Sequence, residues 1–193
     1  MTSPTFGSLS TATASYQIAS TAYVIQNGLG VAGLANRRNC LRVEPAMNLP
    51  PDVEFHEDIP LLVFRPRGLL NEASINKVMG VLGDLEAKLE EPFNRFCDTL
   101  EADAVDLNFQ YIIHISLYRR MSYAGRPPVK SAILATDATA IHYGRLHAVL
   151  TQGSPIQVHV FEDRDVAAKW LGVPIERLIA NSDRKPAQTL EGI

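Results

Sequence analysis

The chain has 193 residues, 46% of them hydrophobic and 20% charged, the composition of an ordinary globular domain with room for a tail. A formal net charge of −3 argues against nucleic acid or an anionic membrane as the main partner. No uninterrupted apolar stretch is long enough to span a bilayer, and the first residues lack the basic start and compact apolar block of a secretory signal. The two cysteines, Cys40 and Cys97, lie too far apart for a metal knuckle or a disulfide framework, so a reducing cytoplasm is the expected location.

In chain order, residues 1–50 differ from the rest. Ser, Thr, Ala and Gly dominate there and charge is scarce, which leaves little apolar surface to offset the entropy of ordering. A disordered or poorly structured leader is expected, with the folded domain occupying 51–180, beginning effectively near Met47 and complete without the leader. Gly28, Gly30 and Gly33 spell GxGxxG after a strand-like run at 22–26, the form of a dinucleotide fingerprint. The helix that should follow has little room before Pro45, and no second strand ends in a ribose-binding acid. Chance occurrence in a Gly/Ala-rich leader is preferred, and no cofactor is expected.

After Pro51 the pattern becomes regular. Residues 53–58 and 61–67 read as two strands separated by Ile59-Pro60 and ended by Gly68, close enough to pair antiparallel. A helix over 72–89 follows, capped by Asn71, with Ile75, Val78, Leu82, Leu85 and Leu89 on one stripe and Asp84, Glu86 and Lys88 on the solvated face. Residues 93–100 form the next strand, since Pro92 bars the helix from continuing.

A second helix covers 107–123 and is apolar on most sides: Phe109, Ile112, Ile113, Ile115, Leu117, Tyr118 and Met121. Such a helix is either deeply buried or keeps a second face for a partner. A strand at 129–136, a helix at 139–152 stopped by Gly153 and Pro155, a strand at 156–161 and a helix at 163–171 stopped by Gly172 complete the pattern. A short helix over 175–180 and a frayed tail at 181–193 close the chain. The order β-β-α-β-α-β-α-β-α implies an α/β fold: one mostly parallel sheet, only its first strand antiparallel, with helices packed on it.

This order, and the residues filling it, resemble the SpoIIAA-like branch of the STAS domains, the anti-sigma-factor-antagonist fold. The stretch FEDRDVAAKWL from Phe161 to Leu171 carries the resemblance most directly, together with Val63 to Gly68 before a long amphipathic helix. The resemblance covers about residues 53–173 and none of the leader. It implies the fold and leaves activity open, because these motifs concern packing. In the anti-sigma antagonists a serine at the start of the second helix is phosphorylated by a partner kinase, and it follows an aspartate that stands a few residues after the preceding strand. Asp106 matches that aspartate here, but Leu107 and Asn108 stand where serines would be. The branch is also similar to the lipid-carrying CRAL-TRIO fold.

Ligands of open α/β sheets bind beyond the carboxyl ends of the parallel strands. That edge collects Asp106, Asn108, Asp137 and Thr139, with Asp103, Thr136, Glu162 and Asp163 nearby. It is the candidate ligand or partner edge, although helix capping by Asp106, Asp137, Thr139 and Asp163 explains most of it. Phe109, Ile113 and Leu117 are the candidate partner residues of the second helix. His56, His114, His142, His147 and His159 show no metal-ligand spacing, and no metal site is expected. Ser131, Ser154 and Cys97 have no activating context as nucleophiles. Arg119, Arg120, Arg126 and Lys130 cluster near the end of the second helix, where the helix dipole favours cations.

A non-enzymatic regulatory or protein-interaction module is therefore expected, its protein partner unidentified and a homodimer open. The alternative is a carrier of a lipid or other apolar small molecule. An enzyme using the acidic edge ranks last.

Overall fold

The computed structural model describes residues 49–179. Nearly all of the expected leader, with its GxGxxG motif, and the expected tail at 181–193 lie outside the described residues. In chain order the elements are β1 (Val53–His56), β2 (Leu61–Phe64), β3 (Gly68–Asn71), α1 (Glu72–Lys88), β4 (Asn94–Asp98), β5 (Ala102–Asp106), α2 (Phe109–Ser122), β6 (Val129–Leu134), α3 (Ala138–Thr151), β7 (Ile156–Phe161), α4 (Arg164–Leu171) and a 3-10 turn at Ile175–Arg177.

Five strands form one sheet in the order β1-β2-β4-β6-β7. β1 runs antiparallel to β2, with Val53 opposite Phe64, and the remaining pairs are parallel. The α/β class and the single antiparallel strand are as the sequence pattern implies. Successive parallel strands all step in one direction, and crossovers keep the right hand, so α1, α2 and α3 share one face of the sheet. The alternation along β2 divides the core accordingly. Leu62 and Phe64 pack with Val78, Leu82 and Leu85 of α1. Leu61 and Val63 turn the other way, joining Phe96 and Leu134 against Ala167, Ala168 and Leu171 of α4 and Leu178 beyond it.

The structure adds a feature the sequence pattern does not reveal. β3 and β5 form a separate two-stranded parallel ribbon, Gly68 opposite Ala102 and Asn71 opposite Asp106, with a register shift after Gly68. Each ribbon strand follows a strand of the main sheet after a short break: β3 follows β2, and β5 follows β4. Gly68 makes the break with φ 73°, a left-handed conformation that favours glycine. The ribbon escapes a pattern reading because its strands are four and five residues long and the second reads ADAVD, a composition poor in strand formers.

The helix starts follow their cap chemistry. Asn71 and Ser74 make a reciprocal capping box on α1. Asn108, Asp137 and Asp163 accept from backbone amides at the starts of α2, α3 and α4. α4 ends at Gly172, φ 79°.

α3 lies unusually close to the sheet. A Cβ at Gly144 would fall 2.9 Å from Val160 Cγ2, a stiff β-branched side chain on β7. Gly144→Ala should therefore cost about 1–3 kcal/mol through overpacking. At Gly80, helical, exposed and with nothing within 4 Å, the same change should gain up to about 1 kcal/mol. Urea midpoints of the two variants check this; equal midpoints would mean that α3 has room to shift.

Candidate functional site

Between the sheet and the inner sides of α1, α2 and α3 lies a pocket of about 180 Å³. Leu62 and Phe64 of β2, Val78 and Leu82 of α1, Ile112 and Ile115 of α2 and Ile133 of β6 make most of its wall, which is almost entirely apolar. Polar side chains enter at few places: Arg95 and Cys97 from β4, Thr99 just after it, Arg119 from α2, Ser131 from β6, and Tyr143 and His147 from α3.

The sequence of β4, Asn-Arg-Phe-Cys-Asp, explains two of these. Period-two alternation sends Phe96 to the α4 side and Arg95 and Cys97 to the helix side, where both line the pocket. An arginine facing inward from a central strand needs a partner, and Glu86 near the end of α1 supplies it, its side chain 8% exposed rather than on the expected solvated face. Arg95 donates Nη2 to Glu86 Oε1 at 2.6 Å. Arg119 donates Nη2 to the same oxygen at 2.6 Å and Nη1 to Oε2 at 3.3 Å. Arg126 approaches Oε2 at 3.7 Å from a more exposed position. All three guanidiniums lie over the buried Tyr123 ring, 5.0, 5.7 and 5.5 Å from its centroid, in cation–π contact. Burial, and then Arg119 nearby, bring Arg95 down to about 10, while Glu86 opposes the shift; the guanidinium stays protonated at neutral pH.

α2 is built inside out. Its buried residues are Ile112, Ser116 and Arg119, so the face toward the sheet carries a hydroxyl and a guanidinium. The outward face carries Phe109, Leu117 and Met121, which are 53%, 42% and 77% exposed, with Ile113 half-buried. The all-round apolar pattern of this helix thus has a physical meaning: an apolar outer ridge, and an inner side on which Ile112 and Ile115 stand with Ser116 and Arg119.

Ser116 Oγ lies 2.6 Å from the Ile112 carbonyl, to which it donates, and 2.7 Å from His147 Nδ1. Burial first, then Arg119 and Arg95, push His147 down to about 4, so the ring is neutral at physiological pH. Cys97 is pushed up to about 12 by burial and then by Asp98. The thiol faces the pocket rather than bulk water and stays protonated, the unreactive form.

The candidate edge residues do not line this pocket, although their chain neighbours Leu107 and Ala140 do. Asp106 ends β5 opposite Asn71 and is exposed. Asn108, rather than Asp106, caps α2, accepting from the Tyr111 amide at 2.8 Å, and its own amide donates to Glu72. Asp137 Oδ1 accepts from the amides of Thr139 and Ala140 at 2.9 Å. Among the parallel strands the order never reverses, whereas the crevices of open α/β sheets form at such reversals.

Of the basic cluster, Arg119 turns inward, while Lys130 donates to the Trp170 carbonyl and lies 5.3 Å from its ring. His159 stacks near the same ring at 4.8 Å. Among the described residues no group of His, Cys, Asp and Glu could hold a metal ion. No described helix is long and apolar enough to cross a membrane.

Sequence reasoning did not assemble Glu86, Arg95, Ser116 and His147. One signal was present: Arg95 shares an inward strand position with Cys97, and Ser116 and Arg119 follow Ile112 at helical spacing.

No protein-family model and no curated protein matches the chain. Among solved structures, it is similar to an uncharacterised protein of the DUF3478 family with a SpoIIAA-like fold from Shewanella loihica. The identity is 20%, the TM-score 0.41, and the match covers 62% of this chain and 89% of that one. That description names the fold type the sequence resembles; the α/β fold itself stands on the strand order and register given above.

The half-buried His147 ring makes stability depend on pH. Its folded value of about 4 lies below the unfolded value near 6.5, so between them the unfolded chain binds the extra proton. The contribution is intact above pH 6.5 and is lost as pH falls toward 4, by up to about 3 kcal/mol. His147→Gln should flatten that part of the pH–stability curve. An unchanged acid limb would place the titration elsewhere.

Proposed function

We propose that this domain is a non-enzymatic STAS-like module that binds an apolar small molecule between its sheet and α1–α3. One observation carries the reading: protein interiors are packed nearly as densely as organic crystals, with few voids larger than a water molecule, yet about 180 Å³ is open here behind an apolar wall. Apolar cavities of roughly 150 Å³ take up small apolar molecules. The polar groups beside the pocket support binding over catalysis. The Cys97 thiol is protonated, the fully buried Ser116 hydroxyl donates to the Ile112 carbonyl rather than to His147, and Glu86 is committed to arginines.

Native mass spectrometry of freshly purified protein, followed by a thermal-shift screen of apolar compounds, tests the reading. A bound species or a ligand-induced rise in Tm is expected. Val78→Phe, which places a ring in the pocket wall, should abolish the rise. A clean mass with no stabilising compound would defeat the proposal.

A second reading, self-association through α2, is favoured by the exposed ridge of Phe109, Leu117 and Met121. A ridge spaced four residues apart on one helix can meet its own copy about a two-fold axis. Sedimentation should then show a dimer that Leu117→Glu with Met121→Glu converts to monomer without loss of fold. A monomer at all concentrations would remove this reading.

A further inference from the structure

We infer that the pocket is built for an anionic amphiphile, a carboxylate or comparable head seated at Arg95 and Arg119 with an apolar tail along the wall between α1 and α2. The inference rests on the pocket reading above and adds the chemistry of the ligand. Its basis is a charge imbalance. Arg95 and Arg119 are 6% and 5% exposed, both line the pocket, and they share the single carboxylate of Glu86. These three buried groups sum to one excess positive charge. Arg126 on the same carboxylate adds another at the surface, where water screens it.

Burying a charge without a counterion is among the most unfavourable arrangements in a protein. The Tyr123 ring attracts the guanidiniums but does not neutralise them. Arg95 Nε is buried with no hydrogen-bond partner, a donor still lacking its acceptor. Planar guanidinium donors match the two oxygens of a carboxylate.

The pocket is also polar at one end. Arg95 lies at the start of β4 and Arg119 in the last turn of α2, toward the amino edge of the parallel strands. At the opposite end of the same pocket Leu70, Ile75 and Leu107 are apolar, and the Thr99 hydroxyl there already donates to the Leu134 carbonyl at 2.9 Å. His147, a neutral hydrogen-bonding ring, stands beside the arginines and adds no charge that would repel or duplicate the head.

The test compares decanoate, decanol, acetate and inorganic phosphate on the full chain by calorimetry and thermal shift at low salt. Decanoate should bind at least about tenfold more tightly than decanol, and acetate and phosphate should give no measurable shift. Two variants should move that ratio in opposite directions. Arg119→Met lowers the preference for decanoate, and Glu86→Gln, which releases both arginines, raises it, while decanol affinity stays as it was. Should either variant fail to fold, the wild-type comparison decides alone. Equal binding of decanoate and decanol would overturn the anionic head and leave the pocket reading standing. Binding of acetate or phosphate as tight as decanoate would overturn the amphiphile. Failure of both ten-carbon compounds would overturn the pocket reading and this inference together.

Discussion

One carboxylate joins three elements of this domain. Glu86 on α1 accepts from Arg95 on β4 and from Arg119 on α2, and nothing else among the described residues neutralises those two guanidiniums. Arginine at these positions brings desolvated charge into the helix–sheet interface. Aliphatic residues there would have drawn α2 down onto β4 and closed the space between them. The ion cluster therefore sets the standoff of α2, and with it the existence of the pocket.

The same cluster accounts for the odd character of α2. A helix whose inner stripe carries Ser116 and Arg119 buries little apolar surface against the sheet, so its attachment depends on hydrogen bonds and ion pairs more than on hydrophobic contact. Ile112 and Ile115 still face the pocket, but Phe109, Leu117 and Met121 are left for the outside. The two explanations for an all-round apolar helix, deep burial or a second face, do not exhaust the cases: here the faces have exchanged roles. α4 is the ordinary counterpart, with Ala167, Ala168 and Leu171 turned to the core and Asp165 and Lys169 in the outer turns.

Much of the fold was legible because it rests on local chemistry. Asn71 before α1, the strong strand Val129–Leu134, Gly172 after α4 and the antiparallel pair at the beginning all follow from short-range patterns. The β3–β5 ribbon was not legible. Its pairing is non-local, and Leu69 outward with Leu70 inward over four residues is too brief a signal. The pocket was hidden for a related reason. Glu86 lies nine residues from Arg95 and thirty-three from Arg119, so only the tertiary fold brings them together. Asp106 shows the limit at single-residue scale: two acceptors near a helix start looked alike, and the backbone turned at Asn108 instead.

α1 and α2 are fastened at two levels. At one end β3 runs directly into α1 and β5 leads into α2, with Asn71 held opposite Asp106 and the Tyr111 hydroxyl 2.8 Å from Asn76 Oδ1. At the other end Glu86 bridges to Arg119. Helices pinned above and below cannot close on the space they enclose, so that volume survives as long as the fold does and vanishes when the chain unfolds. Unfolding then contracts the system by whatever part of that volume water does not fill, and hydrostatic pressure becomes a stress to which this architecture is exposed. A molecule lodged in the space would oppose pressure simply by occupying volume.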